Sequence, residues 1–253
     1  MGSPELVALM LADARLPTGG HTQSAGLEPA VRAGLGADGN RLSDVETYAR
    51  DRLRTIARVE AAVAVVARHL ALAAADLATP GTPEVDGLVA EDKRGRMNGS
   101  WEGGGVMRAE AAWAARTPSQ ALRAASRRQG RAYLRLAARV WPAVLDHLPA
   151  DREIARPVVV GVVGAVTGLS AVQTARLLGY DDAQAVVAAS LKLLPVDPAD
   201  AACWLAALHP DIEELAASVA GLTSPADIPA YGAPLVDVFA QAHAIERMRL
   251  FHA

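Results

Sequence analysis

Apolar positions recur at helical spacing along most of the chain. Val45, Tyr48, Leu53, Ile56, Val59, Val63, Val66, Leu70 and Leu77 follow a 3.6-residue rhythm behind Ser43-Asp44-Val45-Glu46, a capping box, and predict one long helix from Ser43 to Leu77. Two shorter helices precede it. One runs from Pro4 to Ala14, ahead of the turn Leu16-Pro17-Thr18-Gly19-Gly20, and one from about Thr22 towards Gly34. Thr117-Pro118-Ser119-Gln120 is a second capping box with Pro at the first helical position. The helix behind it is two-faced: Leu122, Ala125, Gln129, Ala132, Tyr133, Leu136 and Val140 share one side, and Arg123, Arg127, Arg128, Arg131, Arg135 and Arg139 the other. Further helices are predicted over Pro157–Leu169, Ala171–Leu178, Asp182–Leu194, Pro198–Leu208 (capped by Asp197), Asp211–Ala220 and Leu235–Met248. No stretch alternates as a half-buried strand would. The expectation is an all-α, single-domain bundle of about ten helices spanning residues 1–253.

One stretch breaks the rhythm. Thr79 to Val106 is rich in Gly, Pro and charge and reads as a flexible surface loop between helices, because the alanine-rich texture is the same on both sides. Asn98-Gly99-Ser100 inside it matches the glycosylation triplet, but without an export segment the match is chance.

Composition fits the helical reading. Hydrophobic residues make up 51% and charged residues 21%, enough apolar surface to fold, while aromatics supply only 4%, too few for sheet-rich packing. The single cysteine, Cys203, excludes an intramolecular disulfide and a cysteine-built zinc site, and within Ala-Ala-Cys-Trp-Leu it reads as a core thiol. The N-terminus lacks a basic leader region, and the most apolar stretch, Pro157–Leu169, is too short to span a bilayer, so the expected location is the cytoplasm. The net charge of −3 is unevenly spread. Arg108–Arg156 holds ten Arg against four acids, and the stretch from Asp181 onward ten acids against three bases, a polarity suited to docking on charged protein surfaces or to inert solvated faces.

Candidate chemistry mostly eliminates itself. Gly34-x-Gly36-x-x-Gly39 has the dinucleotide spacing but follows a helix, where that chemistry needs a strand. Asp181-Asp182 lacks the further carboxylates that magnesium chemistry requires. His21, His69, His147, His209, His243 and His252 show no metal-binding spacing, although His243 and Glu246 would share a helix face. No nucleophile elbow is present. Thr18-Gly19-Gly20-His21-Thr22-Gln23-Ser24 is either a packed functional loop or a plain helix cap. Gly161, Gly164 and Gly168 predict close helix approach, in the core or between chains.

Three segments carry a resemblance. Leu11-Ala-Asp13-Ala-Arg-Leu16-Pro17-Thr18-Gly19-Gly20, continued by Ser24-Ala-Gly26-Leu27-Glu28, is similar to the N-terminal motif of the urease accessory protein UreF family. Arg123 through Leu136 resembles that family's Arg/Ser/Gly-bearing helix, and Pro234-Leu235-Val-Asp237 through Arg249-Leu250-Phe251 its C-terminal segment. His21, Gln23, Ala25, Ala244 and Ala253 depart from the usual residues, and Gln23 removes a histidine that a nickel-handling role there would use.

The resemblance implies a protein that is no enzyme: an all-helical scaffold that dimerises, binds UreD (also called UreH) and forms with it a platform for the GTPase UreG. Nickel then passes through the complex to apo-urease, with regulation of the GTPase as a further implied role. No catalytic residue, resident metal ligand or tightly bound cofactor is expected, and neither nucleic acid nor membrane is an expected partner. Gly19, Gly20, Ser24, Gly26 and Glu28 are expected to shape a partner-facing loop, with a structural cap as the alternative for Glu28. Arg249, Leu250 and Phe251, in a tail of residues 249–253, are expected to order against a partner, because an apolar Phe at a chain end would otherwise be wet. Two other classes compete: a nucleic-acid-binding regulator using the Arg123–Arg139 face, and a helical enzyme of unrecognised chemistry.

Overall fold

The computed structural model describes residues 2–36, 42–78 and 105–251. The helices are α1 (Pro4–Leu11), α2 (Leu27–Arg32), α3 (Asp44–Arg54), α4 (Ile56–Ala78), α5 (Gly105–Arg116), α6 (Gln120–Val140), α7 (Arg156–Thr167), α8 (Ala171–Leu193), α9 (Pro198–Ala207), α10 (His209–Val219) and α11 (Pro234–Ala244), with no strand among the described residues. Of the expected loop, residues 79–104 lie outside the described residues, and Gly105 and Val106 open α5.

The bundle is built around α4. Ala61 through Ala67 are all buried, and a helix apolar on every side can sit only at the centre of a fold. It packs on α5, α7 and α8, while α8 in turn carries α3, α9 and α10, and α6 bridges α7 to α11. Small residues set the closest approaches. A Cβ on Gly161 would lie 2.3 Å from the Ala64 carbonyl oxygen, so α7 and α4 touch backbone to side-chain-free backbone. Gly164 faces Thr174 Oγ1, whereas Gly168, at φ +79°, caps the end of α7 and takes no part in that contact.

Several local expectations are corrected. The long helix from Ser43 breaks at Thr55 (φ −121°, ψ −96°), whose hydroxyl donates to the Asp51 carbonyl, and the break re-aims α4 into the core. Ser43 is itself helical in conformation and makes no side-chain cap, while Glu46 pairs with Arg50 instead. At the other capping box the cap is Ser119, which accepts from Leu122 N–H, while Thr117 turns back to the Trp113 carbonyl. The segment expected as two helices, Ala171–Leu178 and Asp182–Leu194, is one uninterrupted α8, because Gly179 lets α10 approach through Ile212. Cys203 is exposed, since short α9 buries Ala201 and turns Cys203 outward.

Candidate functional site

The N-terminal motif builds a short, conformationally demanding loop. Gly19 at φ +77° starts a 3-10 turn over Gly20–Thr22, and Thr22 Oγ1 donates to the Gly19 carbonyl at 2.7 Å. The helix expected from about Thr22 towards Gly34 is corrected to a short α2 that begins only at Leu27, because Ala25 (φ +51°) and Gly26 (φ +77°) both turn left-handed before it. Tyr48 Oη donates to the Ala25 carbonyl at 2.9 Å and holds that turn. A side chain on Gly26 would also meet this hydroxyl, at 2.8 Å. Buried Ser24 lies one turn before Glu28, whose N–H it receives at 3.4 Å. Gly34 and Gly36 are also left-handed and follow α2 as a helix exit, while the rest of that glycine motif lies outside the described residues.

These turns deliver Glu28, 1% exposed, to the C-terminal segment. Its Oε1 accepts from Arg32 Nη2 at 2.7 Å and Leu250 N–H at 2.9 Å. Its Oε2 accepts from Phe251 N–H and lies against His243 Nε2, each at 3.0 Å. An ionised carboxylate has about four lone-pair sites and only accepts, so all of them are used and His243 Nε2 faces Glu28 as a donor. Burial pushes the Glu28 carboxyl up, but the Leu250 and Phe251 N–H groups and His243 together hold it below its ordinary value.

Arg32 extends the same clasp, donating to the Met248 carbonyl at 2.7 Å and pairing with Glu246. Glu246 lies beyond α11, which ends at Ala244 rather than Met248, so it shares no helix face with His243. Arg249 Nη1 reaches back to the His243 and Ala244 carbonyls, both at 3.4 Å. Residues 245–251 thus form a strap folded onto α2 and α11.

The strap sorts its apolar residues. Phe251 is 3% exposed inside its own chain, which corrects the premise that it would be wet without a partner. Leu250, at 71%, Met248, at 84%, and Ile245, at 85%, point outward, as do exposed Leu235 and Val238 on α11. Leu235, Val238, Ala242 and Ile245 recur at i, i+3, i+7 and i+10, the stripe by which a helix meets another helix. Of the residues expected to face partners, Ser24, Gly26, Glu28 and Phe251 are buried, Leu250 and Arg249 are exposed, and Gly19 and Gly20 are half-buried. His243 and Arg32 were not singled out for this role, although Arg32, one turn past Glu28, carried an i, i+4 signal.

Beside the strap lies a solvent-open pocket of about 210 Å³, lined among others by Phe251, Lys192, Tyr133, Arg52, Arg156 and Asp181. Two of its guanidiniums are paired with carboxylates, although Arg52 Nη1 is buried without a hydrogen-bond partner. Arg52 holds Asp182 through two N–H groups, at 3.0 and 2.5 Å, and Arg156 bridges Glu60 and Asp181. Burial raises the Asp181 carboxyl above its ordinary value, and the Arg156 guanidinium only partly counters this. Among the described residues no three His, Cys, Asp or Glu side chains converge as metal ligands. The Arg face of α6 is divided: Arg123 caps the Thr117 and Pro118 carbonyls, and Arg127 binds Glu110 and lies 5.5 Å over the Trp113 ring. Arg128, Arg135 and Arg139 stay exposed.

A family model for UreF matches residues 40–209. The urease accessory protein UreF of Mycobacterium sp. (strain JLS) is 37% identical over 245 residues, which is 96% of each chain. That of Mycolicibacterium vanbaalenii is 37% identical, covering 95% of this chain and 94% of the relative. That of Mycobacterium tuberculosis (strain H37Ra) is 34% identical, covering 96% and 95%. With a third or more of its residues shared with such relatives over nearly their whole length, the chain belongs to the UreF family.

Proposed function

We propose that this protein serves urease maturation as a non-catalytic scaffold. It acts in the cytoplasm as a homodimer, bridges UreD/UreH and the GTPase UreG, tunes UreG's GTP hydrolysis, and assists nickel delivery to apo-urease. Nickel is the cargo of that assembly and no resident cofactor of this chain. The family and the curated relatives, each a urease accessory protein, support the maturation role. Among the described residues no helix is long and apolar enough to cross a membrane.

The observation that carries the scaffold reading is the outward apolar face of α11 and the strap, Leu235, Val238, Ile245, Met248 and Leu250. Exposed large apolar side chains gathered on one terminal segment mark a protein-binding surface, and the Glu28 clasp orders the strap that carries three of them, which lowers the ordering cost of association. UreD is the partner assigned to it. Deleting Arg249–Ala253 removes Leu250 and frees the strap, and is expected to reduce UreD capture in co-purification at least tenfold, about 1.4 kcal/mol. Val238→Glu, which leaves the clasp intact, is expected to do the same. Unchanged capture by both variants would assign UreD to another surface.

A further inference from the structure

Helix α6 carries six arginines and not one acidic residue over Gln120–Val140. Two of the six are used within the chain, Arg123 on the Thr117 and Pro118 carbonyls and Arg127 on Glu110. Arg131 meets Glu153 only loosely, at 3.7 Å, with both side chains mostly in solvent. Arg128, Arg135 and Arg139 are exposed and meet no carboxylate among the described residues. At 100° per residue these three lie within about 40° of one another, along about 16 Å of helix. Such a face works against the isolated chain. Solvated helices gain from opposite charges at i, i+4, whereas Arg127, Arg131, Arg135 and Arg139 repeat one sign at that spacing. Carboxylates brought from outside would relieve the repulsion.

Arg128 also borders a cleft of about 310 Å³ between α6 and α11. The charged or titratable groups lining it are Arg128, Arg249 and His243, and no carboxylate lines it. We infer that the stripe Arg128–Arg135–Arg139, with this cleft at its N-terminal end, is a docking surface for an acidic segment of a partner protein. A protein fits better than a nucleic acid. Glu153 stands beside Arg131 and would repel a continuous phosphate backbone, and Tyr133, the single aromatic residue of α6, is buried and offers no ring to a base. Val140 and Leu145, exposed just past the stripe, are apolar surface that a protein side chain can cover. The surface uses none of the apolar residues assigned to UreD, so it stands whether or not that assignment does.

The test uses the full chain alone. Arg128→Gln, Arg135→Gln and Arg139→Gln are combined in one variant. The matched control combines Arg15→Gln, Arg54→Gln and Arg176→Gln, exposed arginines that each pair with a carboxylate, and loses the same charge. Binding of a fluorescein-labelled oligoglutamate peptide is followed by anisotropy at low salt. The expected result is saturable binding by the parent and the control, binding at least tenfold weaker by the stripe variant, and unchanged melting of all three by circular dichroism. Oligoglutamate that fails to bind the parent, or that both variants bind equally well, overturns the docking surface. A DNA duplex held more tightly than oligoglutamate through the same three arginines, with a steep salt dependence, overturns the acidic protein segment as its occupant.

Discussion

Gly130→Ala is expected to cost the protein a large part of its stability, although alanine is the better helix former by about 1 kcal/mol. Gly130 lies on the buried side of α6, where the chain entering α7 crosses it. A Cβ there would sit 1.9 Å from the Ile154 carbonyl oxygen and 2.9 Å from the Arg156 nitrogen. Both are backbone atoms, so no rotamer change relieves the clash; the crossing segment must move. Gly161→Ala meets the same obstacle at 2.3 Å from the Ala64 carbonyl. Overpacking of this kind costs about 3 kcal/mol or more, against a total stability of roughly 5–15 kcal/mol. In a chain of this size each 1 kcal/mol moves Tm by about 2–4 °C, so losses near 10 °C are expected in thermal melts followed by circular dichroism. Gly20→Ala is the control. No atom lies within 4 Å of its Cβ position, and its Tm is expected to stay within about 2 °C of the parent. A Gly161→Ala protein as stable as Gly20→Ala would show that α4 and α7 do not pack this closely.

Arg156→Met has the second-largest expected effect, and a distinctive pH signature. The Arg156 guanidinium is buried between Glu60 and Asp181, so the substitution leaves two partly buried carboxylates without their cation. Breaking such a pair from one side costs about 3–5 kcal/mol. Asp181 already binds its proton more tightly than usual, because burial outweighs the help from Arg156. Removing the guanidinium raises its pKa further. A carboxyl whose folded pKa is raised lends stability below its ordinary value, and that stability is lost as pH rises through the folded pKa. The deficit of the variant is therefore expected to be largest at neutral pH and to shrink on acidification towards about pH 5 in urea titrations. A deficit that stays constant or grows with acidity would mean that Glu60 and Asp181 find other partners or solvent.

Much of the fold was legible because helices announce themselves locally. The alanine-rich texture, the apolar rhythm of α4 and α6, and Asp197-Pro198 ahead of α9 were sufficient to predict a helical bundle, and the structure has those elements. Where local reading failed, a tertiary contact had decided. Nothing in Arg54-Thr55-Ile56 announces a break, yet α3 and α4 part there. The expected gap between Leu178 and Asp182 is helical, and Gly179 within it is where Ile212 of α10 packs on α8. Cys203 reads as core only if its helix is assumed to be surrounded, and α9 is not.

The candidate site divides in the same way. Its two halves, Thr18–Glu28 and Pro234–Phe251, stand out in the sequence as separate segments, and the left-handed turns at Gly19 and Gly26 follow from glycine's freedom of φ. That they form one site did not follow. Glu28 meets Leu250, Phe251 and His243 across more than 200 positions of sequence, and spacing alone cannot express so distant a pairing. By itself the sequence determined the helical class, the family and the segments to watch, since each depends on neighbours along the chain. Only the tertiary structure decided that Glu28 is a buried clasp, that Phe251 faces inward and that Leu250 faces outward. Burial and hydrogen bonding between distant segments are properties of the packed chain, and they exist only once it has folded.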